Sequence, residues 1–151
     1  MKTILLSMPL CLSLLMLPAG NSAALCIAVA KANLRTGPGT EYMKSWEVGK
    51  YMPFDKVGVS LSGDWYAVKD LDDDVFWVHK KLVDESCRAA VVTADNIAIR
   101  TGPGTNHAKT SLGSVSKYYC FQVLEQKPGW VKGRDSAGAT GWIHKKFLWM
   151  P

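Results

Sequence analysis

Arg35-Thr36-Gly37-Pro38-Gly39-Thr40 recurs residue for residue as Arg100-Thr101-Gly102-Pro103-Gly104-Thr105, an offset of 65. The same offset of 65 carries Trp77-Val78-His79-Lys80-Lys81 onto Trp142-Ile143-His144-Lys145-Lys146, Trp65 onto Trp130 and Asp70 onto Asp135. One recurring hexapeptide is weak evidence; several features sharing one offset indicate a duplicated unit. Within the hexapeptide, Gly permits positive φ and Pro fixes its own φ, so the stretch ends a strand and turns the chain.

Working outward, the signals are short strands separated by turns. In the first copy Leu25 to Ala30 is apolar and leads to Asn33-Leu34-Arg35. Trp46-Glu47-Val48 and Lys56-Val57-Gly58-Val59 alternate, and Trp65 to Val68 follows the Ser62-Gly63-Asp64 turn. Asp70 to Asp74 is a polar turn before the return strand Val75 to Val78. The second copy offers Ile97 to Arg100, Tyr119 to Leu124, Trp130 to Lys132 and Ala139 to Ile143. This pattern predicts an all-β fold of two small barrels or sandwiches, residues 25–84 and 88–149, with Asp84-Glu85-Ser86 as a short linker holding them close. Units of about 60 residues bury little surface, so aromatics must fill much of each core.

Residues 1–24 read as a signal peptide: Lys2 is a positive start, Ile4 to Leu17 an apolar core, and Ser22-Ala23-Ala24 a small-residue cleavage site. The apolar run is shorter than the roughly 20 residues that span a bilayer, so no permanent transmembrane segment is expected. Leu25 before Cys26 disfavours a lipid-anchored cysteine. Removal of that segment takes Lys2 and Cys11 and leaves 17 basic against 13 acidic residues, a net charge of +4. Such a balance suits anionic envelope partners and is too small to argue for nucleic acid. An exported chain can keep a disulfide. Cys26 and Cys87 both lie at or just ahead of the first strand of a unit and are the favoured pair, although sequence leaves connectivity open. Cys120, between Tyr119 and Phe121, reads as a buried hydrophobe.

Asn33-Leu34-Arg35-Thr36-Gly37-Pro38-Gly39-Thr40 resembles the signature of bacterial SH3 (SH3b) domains, in which an early strand ends in Asn-apolar-Arg-Ser/Thr-Gly-Pro. A late Gly-Trp-Val pattern corresponds to Phe76-Trp77-Val78 and Gly141-Trp142-Ile143, and a middle Gly-x-Trp pattern to Gly63-Asp64-Trp65 and Gly129-Trp130. The resemblance covers nearly all of residues 25–149 as two tandem copies. It implies small SH3-like β-barrels and a binding role, usually toward the cell wall, as targeting modules beside a peptidoglycan hydrolase. The chain reads as all module. Ala98-Ile99-Arg100 replaces Asn33-Leu34-Arg35 and Phe76 replaces the pattern's Gly, so the copies are not expected to bind equally.

Candidate chemistry outside binding is sparse. A calcium loop starting at Asp70 would need Gly at its sixth position and Glu at its twelfth; Val75 and Lys81 stand there. His79 and His144 in separate units do not supply a convergent metal site, though the Lys pairs after them could form an anion-binding rim. No Cys sits at a helix N-terminus and no Gly-x-Ser-x-Gly elbow occurs, so no enzyme is expected. No metal or cofactor is expected either. The expected ligand site is a shallow groove beside the first Gly-Pro-Gly turn, with Tyr42, Trp46, Arg35 and Trp77. At offset 65 the counterparts of Tyr42 and Trp46 are His107 and Ser111, which points to the first unit as the binder. The reading is an exported periplasmic or envelope binding module for cell-wall peptide or another envelope ligand. The alternative is an adaptor for an envelope enzyme or membrane partner.

Overall fold

The computed structural model describes residues 23–151. The expected signal peptide thus lies outside the described residues except for Ala23 and Ala24, which form the start of the first strand and pair with Lys56 and Asp55. The described residues are almost entirely β. The chain's first half contains β1 (Ala23–Ile27), β2 (Lys31–Arg35), β3 (Lys44–Gly49), β4 (Pro53–Val59), β5 (Trp65–Lys69), β6 (Val75–His79) and β7 (Val83–Asp84). Its second half contains β8 (Ala89–Val92), β9 (Ile97–Arg100), β10 (Lys109–Val115), β11 (Cys120–Lys127), β12 (Trp130–Arg134), β13 (Thr140–His144) and β14 (Leu148–Trp149). Each half is one seven-stranded sheet, and the two orders, β3-β2-β6-β5-β4-β1-β7 and β10-β9-β13-β12-β11-β8-β14, are the same order repeated. A single 3₁₀ turn, Lys80–Leu82 or Lys145–Phe147, joins the sixth strand to the seventh.

Alternation decides the faces. On β2, Ala32 and Leu34 are buried while Lys31 and Asn33 are exposed, because successive side chains leave a strand on opposite sides. Leu34, Phe54, Val68 and Val78 make the first core, and Ile99, Phe121, Val131 and Ile143 the second. β8 breaks the alternating pattern: all four residues are buried. Val91 joins the first core while Ala90 and Val92 join the second, so this strand is covered on both sides.

The two halves are not related by one offset throughout. Asn33 pairs with Glu47 and Ala98 with Ser114, so the offset has grown from 65 to 67 by the third strand. Tyr51 and Tyr118, at φ 71° and 69°, keep that longer offset; the N–H of each donates to Ile27 or Val92 at 2.9 Å. The β4–β5 hairpin is correspondingly longer than the β11–β12 hairpin, which returns Trp130 to register with Trp65. The constant-offset reading that set Ser111 opposite Trp46 is therefore corrected. Two extra residues in the irregular stretch of β10 between Lys109 and Ser114 displace it.

The halves pack closely. Trp46 meets Tyr118 edge-on at 5.0 Å between ring centroids and lies 6.1 Å from Phe76. Lys117 Nζ is 2.7 Å from Asp72, and the Tyr118 hydroxyl donates to the same carboxylate. Cys26 and Cys87 form a disulfide with Cα atoms 5.9 Å apart, the pairing favoured from sequence. The linker is fixed as well: Asp84 accepts from the Ser86 N–H at 2.8 Å, and Glu85 from the Tyr66 hydroxyl at 2.7 Å.

Candidate functional site

Cross-strand register brings one set of side chains to the outer face of the first sheet. Arg35 pairs with Trp77, Trp77 with Ala67, and Trp65 with His79, so these groups lie on the same side. Lys31 and Asn33 precede Arg35 at period two and extend the row. Between this row and the β5–β6 end runs an open groove. Lys31, Asn33, Arg35 and Thr40 line one wall; Trp65, His79, Lys81 and Leu82 line the other.

The groove's geometry is held from beneath. Trp65 is buried and its ring meets His79 edge-on at 5.2 Å. His79 Nδ1 accepts the Lys81 N–H at 3.2 Å, which caps the 3₁₀ turn and fixes the imidazole. His144 does the same for Lys146 at 3.2 Å, so the matched histidines are end-of-strand caps. Lys31 lies 3.3 Å from Glu47, whose carboxyl is held below its ordinary value by Lys44 first and Lys31 next. Lys80 is paired to Asp64 at 2.9 Å.

Arg35 has a structural task. Its Nη1 donates to the carbonyls of Thr40 at 3.0 Å and Tyr42 at 2.7 Å, closing the Gly-Pro-Gly loop onto the strand that starts it. Arg100 repeats this device toward His107 O at 2.7 Å. Tyr42 lies with its ring against Gly37, where an added Cβ would fall 2.3 Å from Tyr42 Cδ1, and His107 fills the same place over Gly102. Arg35→Ala should cost about 1–2 kcal/mol in stability and open residues 36–42 to limited proteolysis, read by cleavage rate and urea midpoint.

Of the four site residues read from sequence, the structure brings Arg35 and Trp77 to one face and sets Tyr42 at the loop beside it. Trp46 lies on the other side. It pairs with the fully buried Leu34 and packs between Phe76 and Tyr118. Of these four only Arg35 lines the groove, which Lys31, Asn33, Trp65, His79 and Lys81 complete. The available signal for the first two was their period-two spacing from Arg35. The second half carries Asn96 and Ala98 at the positions of Lys31 and Asn33, and Phe147 at that of Leu82.

The acidic turn is structural too. Asp70 is buried and accepts from the N–H groups of Asp72 and Asp74, both at 2.9 Å. Burial is the main cause pushing its carboxyl up, against those two donors. Asp135 closes the equivalent turn through Ala137 and Ala139 at 2.9 and 2.8 Å. Cys120 donates to the Tyr118 carbonyl at 3.0 Å, and burial pushes its thiol up to about 12, the wrong direction for a nucleophile. Among the described residues no three His, Cys, Asp or Glu side chains gather as metal ligands, and no helix is long and apolar enough to cross a membrane.

Comparison with known proteins bears on this arrangement. The Bacillus subtilis (strain 168) protein YrvJ, whose name describes an N-acetylmuramoyl-L-alanine amidase, is 27% identical over 134 residues. The match takes in 81% of this chain and 24% of YrvJ, so the chain spans about a quarter of that relative. Among solved structures, an NlpC/P60 family protein from Bacillus cereus ATCC 10987 is similar at 14% identity and a TM-score of 0.37, over 85% of this chain and 56% of that one. NlpC1 from Trichomonas vaginalis is similar at 10% identity and a TM-score of 0.36, over 84% and 45%. Likeness at these scores carries no functional argument. Residues 93–150 match the family model described as a bacterial SH3 domain.

Proposed function

We propose that the chain is an exported, non-enzymatic binding protein of two tandem SH3-like units, and that it takes cell-wall peptide in the groove of the first half. One observation carries this reading. A row of Lys31, Asn33 and Arg35 faces an aromatic shelf of Trp65 and His79 across an open groove. The exposed parts of an aromatic and aliphatic wall suit the apolar faces of sugars and peptides, and the polar row suits amides and carboxylates. The identity shared with YrvJ, a protein named for wall-amide hydrolysis, supports the choice of ligand. The second half supports the first, because Asn96 and Ala98 leave its row shorter.

Sedimentation of the purified chain with intact peptidoglycan sacculi tests the proposal. Pelleting should survive high salt, and Lys31→Ala/Asn33→Ala should weaken it at least about tenfold, while Asn96→Ala leaves it unchanged. Pelleting only at low salt would reduce the surface to a screened electrostatic adhesive. Absence of pelleting would transfer the lead to the adaptor reading. That reading is favoured by one feature: Val57, Val59 and Leu61 stand exposed along β4 and its hairpin, a surface of the kind protein partners cover.

A further inference from the structure

We infer that the groove selects a ligand bearing a free carboxylate, with Lys81 as its ion partner; this rests on the wall-peptide reading above. Most lysines of the first half are already paired. Lys31, Lys44, Lys56, Lys69 and Lys80 each lie 2.5–3.3 Å from a carboxylate of the chain itself. Lys50 and Lys81 have no carboxylate within 4 Å among the described residues; Asp64, paired to Lys80, is the carboxylate near enough to feel Lys81, and of the two lysines only Lys81 lines the groove. It stands at the wall formed by Trp65, His79 and Leu82, so an anion met there has an aromatic and aliphatic surface beside it.

The neighbouring imidazole completes the recognition. His79 Nδ1 accepts the Lys81 N–H, which leaves Nε2 as the nitrogen that bears a proton, and the ring stands in the groove wall. One ammonium and one imidazole N–H match the two oxygens of a carboxylate. An ammonium meets a carboxylate or a phosphate alike as a point charge, and of the two it is the carboxylate that a wall peptide carries. The only arginine in the groove wall, Arg35, has Nη1 engaged by the carbonyls of Thr40 and Tyr42. The carboxylate is therefore the anion that the wall-peptide reading supplies to Lys81.

The experiment uses the full chain and a disaccharide tetrapeptide released from sacculi by lysozyme, in its acid form and with its carboxylates converted to amides. Wild type should bind the acid form about tenfold or more tightly than the amide by calorimetry, as expected for loss of a charge-assisted hydrogen bond. Lys81→Gln, an exposed side chain whose backbone cap is retained, should lower affinity for the acid form about tenfold and erase the difference between forms. Lys81→Arg should keep the preference. Equal binding of both forms by wild type, or an undiminished acid preference in Lys81→Gln, overturns the carboxylate assignment while leaving wall-peptide binding standing. Displacement of the acid form by inorganic phosphate more strongly than by acetate reassigns the anion and overturns it too. Failure of wild type to bind either form overturns both readings together.

Discussion

Replacing Cys26 and Cys87 by Ser should lower the stability of the chain by about 4 kcal/mol, the value expected when a cross-link closing a loop of this length is removed from the unfolded ensemble. The two cysteines are 61 positions apart and enclose nearly the whole first half. Cys26 sits in β1, between the core residues Leu25 and Ile27, and is itself buried. Cys87 follows the linker and precedes β8, whose Val91 packs into the first core. The bond therefore fixes the start of the second half to the first, in addition to closing the loop. In urea the midpoint should fall by about 2–3 M, and reduction of wild type should reproduce the shift. Cys120→Ala is the control, since that thiol makes no covalent link. An unchanged midpoint in the double variant would mean that packing alone sets the stability.

The all-β architecture was legible because its signals are local. The Gly-Pro-Gly turns, the alternation on β2 and the matched Trp positions each specify a strand or a turn without reference to distant residues. β8 was harder to read: Ala89 to Val92 is continuous apolar sequence, buried against both cores, so period-two alternation is absent. β10 was obscured by its irregular pairing around the positive-φ Gly113. The groove was only partly legible. Arg35, which lines the groove, and Trp77, which only shares its face of the sheet, drew attention because each belongs to a repeated motif. Trp65 and His79 also recur, yet their union with Lys31 and Asn33 depends on β2 lying beside β6, a neighbour relation that no local pattern states. Trp46 read as a ligand platform because the first unit has more aromatics than one small core hides and because it stands near the Gly-Pro-Gly turn. In the structure the ring is covered by Tyr118 of the other half.

Trp46→Ala should consequently damage the chain as a two-part body and leave the groove's own chemistry intact. Full truncation of a buried Trp costs about 3–5 kcal/mol; Trp46 is half-buried, so about 2–3 kcal/mol is expected. Part of that loss is coupling between halves, because the ring packs on both Phe76 of its own half and Tyr118 of the other. The urea transition should broaden or split, and Trp46→Phe should restore most of a single transition. Tyr118→Ala should be non-additive with Trp46→Ala, since the two residues share one contact. Asp72→Asn should have a smaller effect, because its pairing with Lys117 is largely exposed. The pairing has a defined acid limit. Lys117 first, then Tyr118, holds the Asp72 carboxyl below its ordinary value of 3.8. Its contribution is therefore complete above that value and disappears as pH falls through the lowered one. If Trp46 instead contacts ligand, the outcome reverses. Trp46→Ala would then lose sacculus binding with an unchanged urea midpoint, and the half-to-half contact would have to be reassigned as incidental.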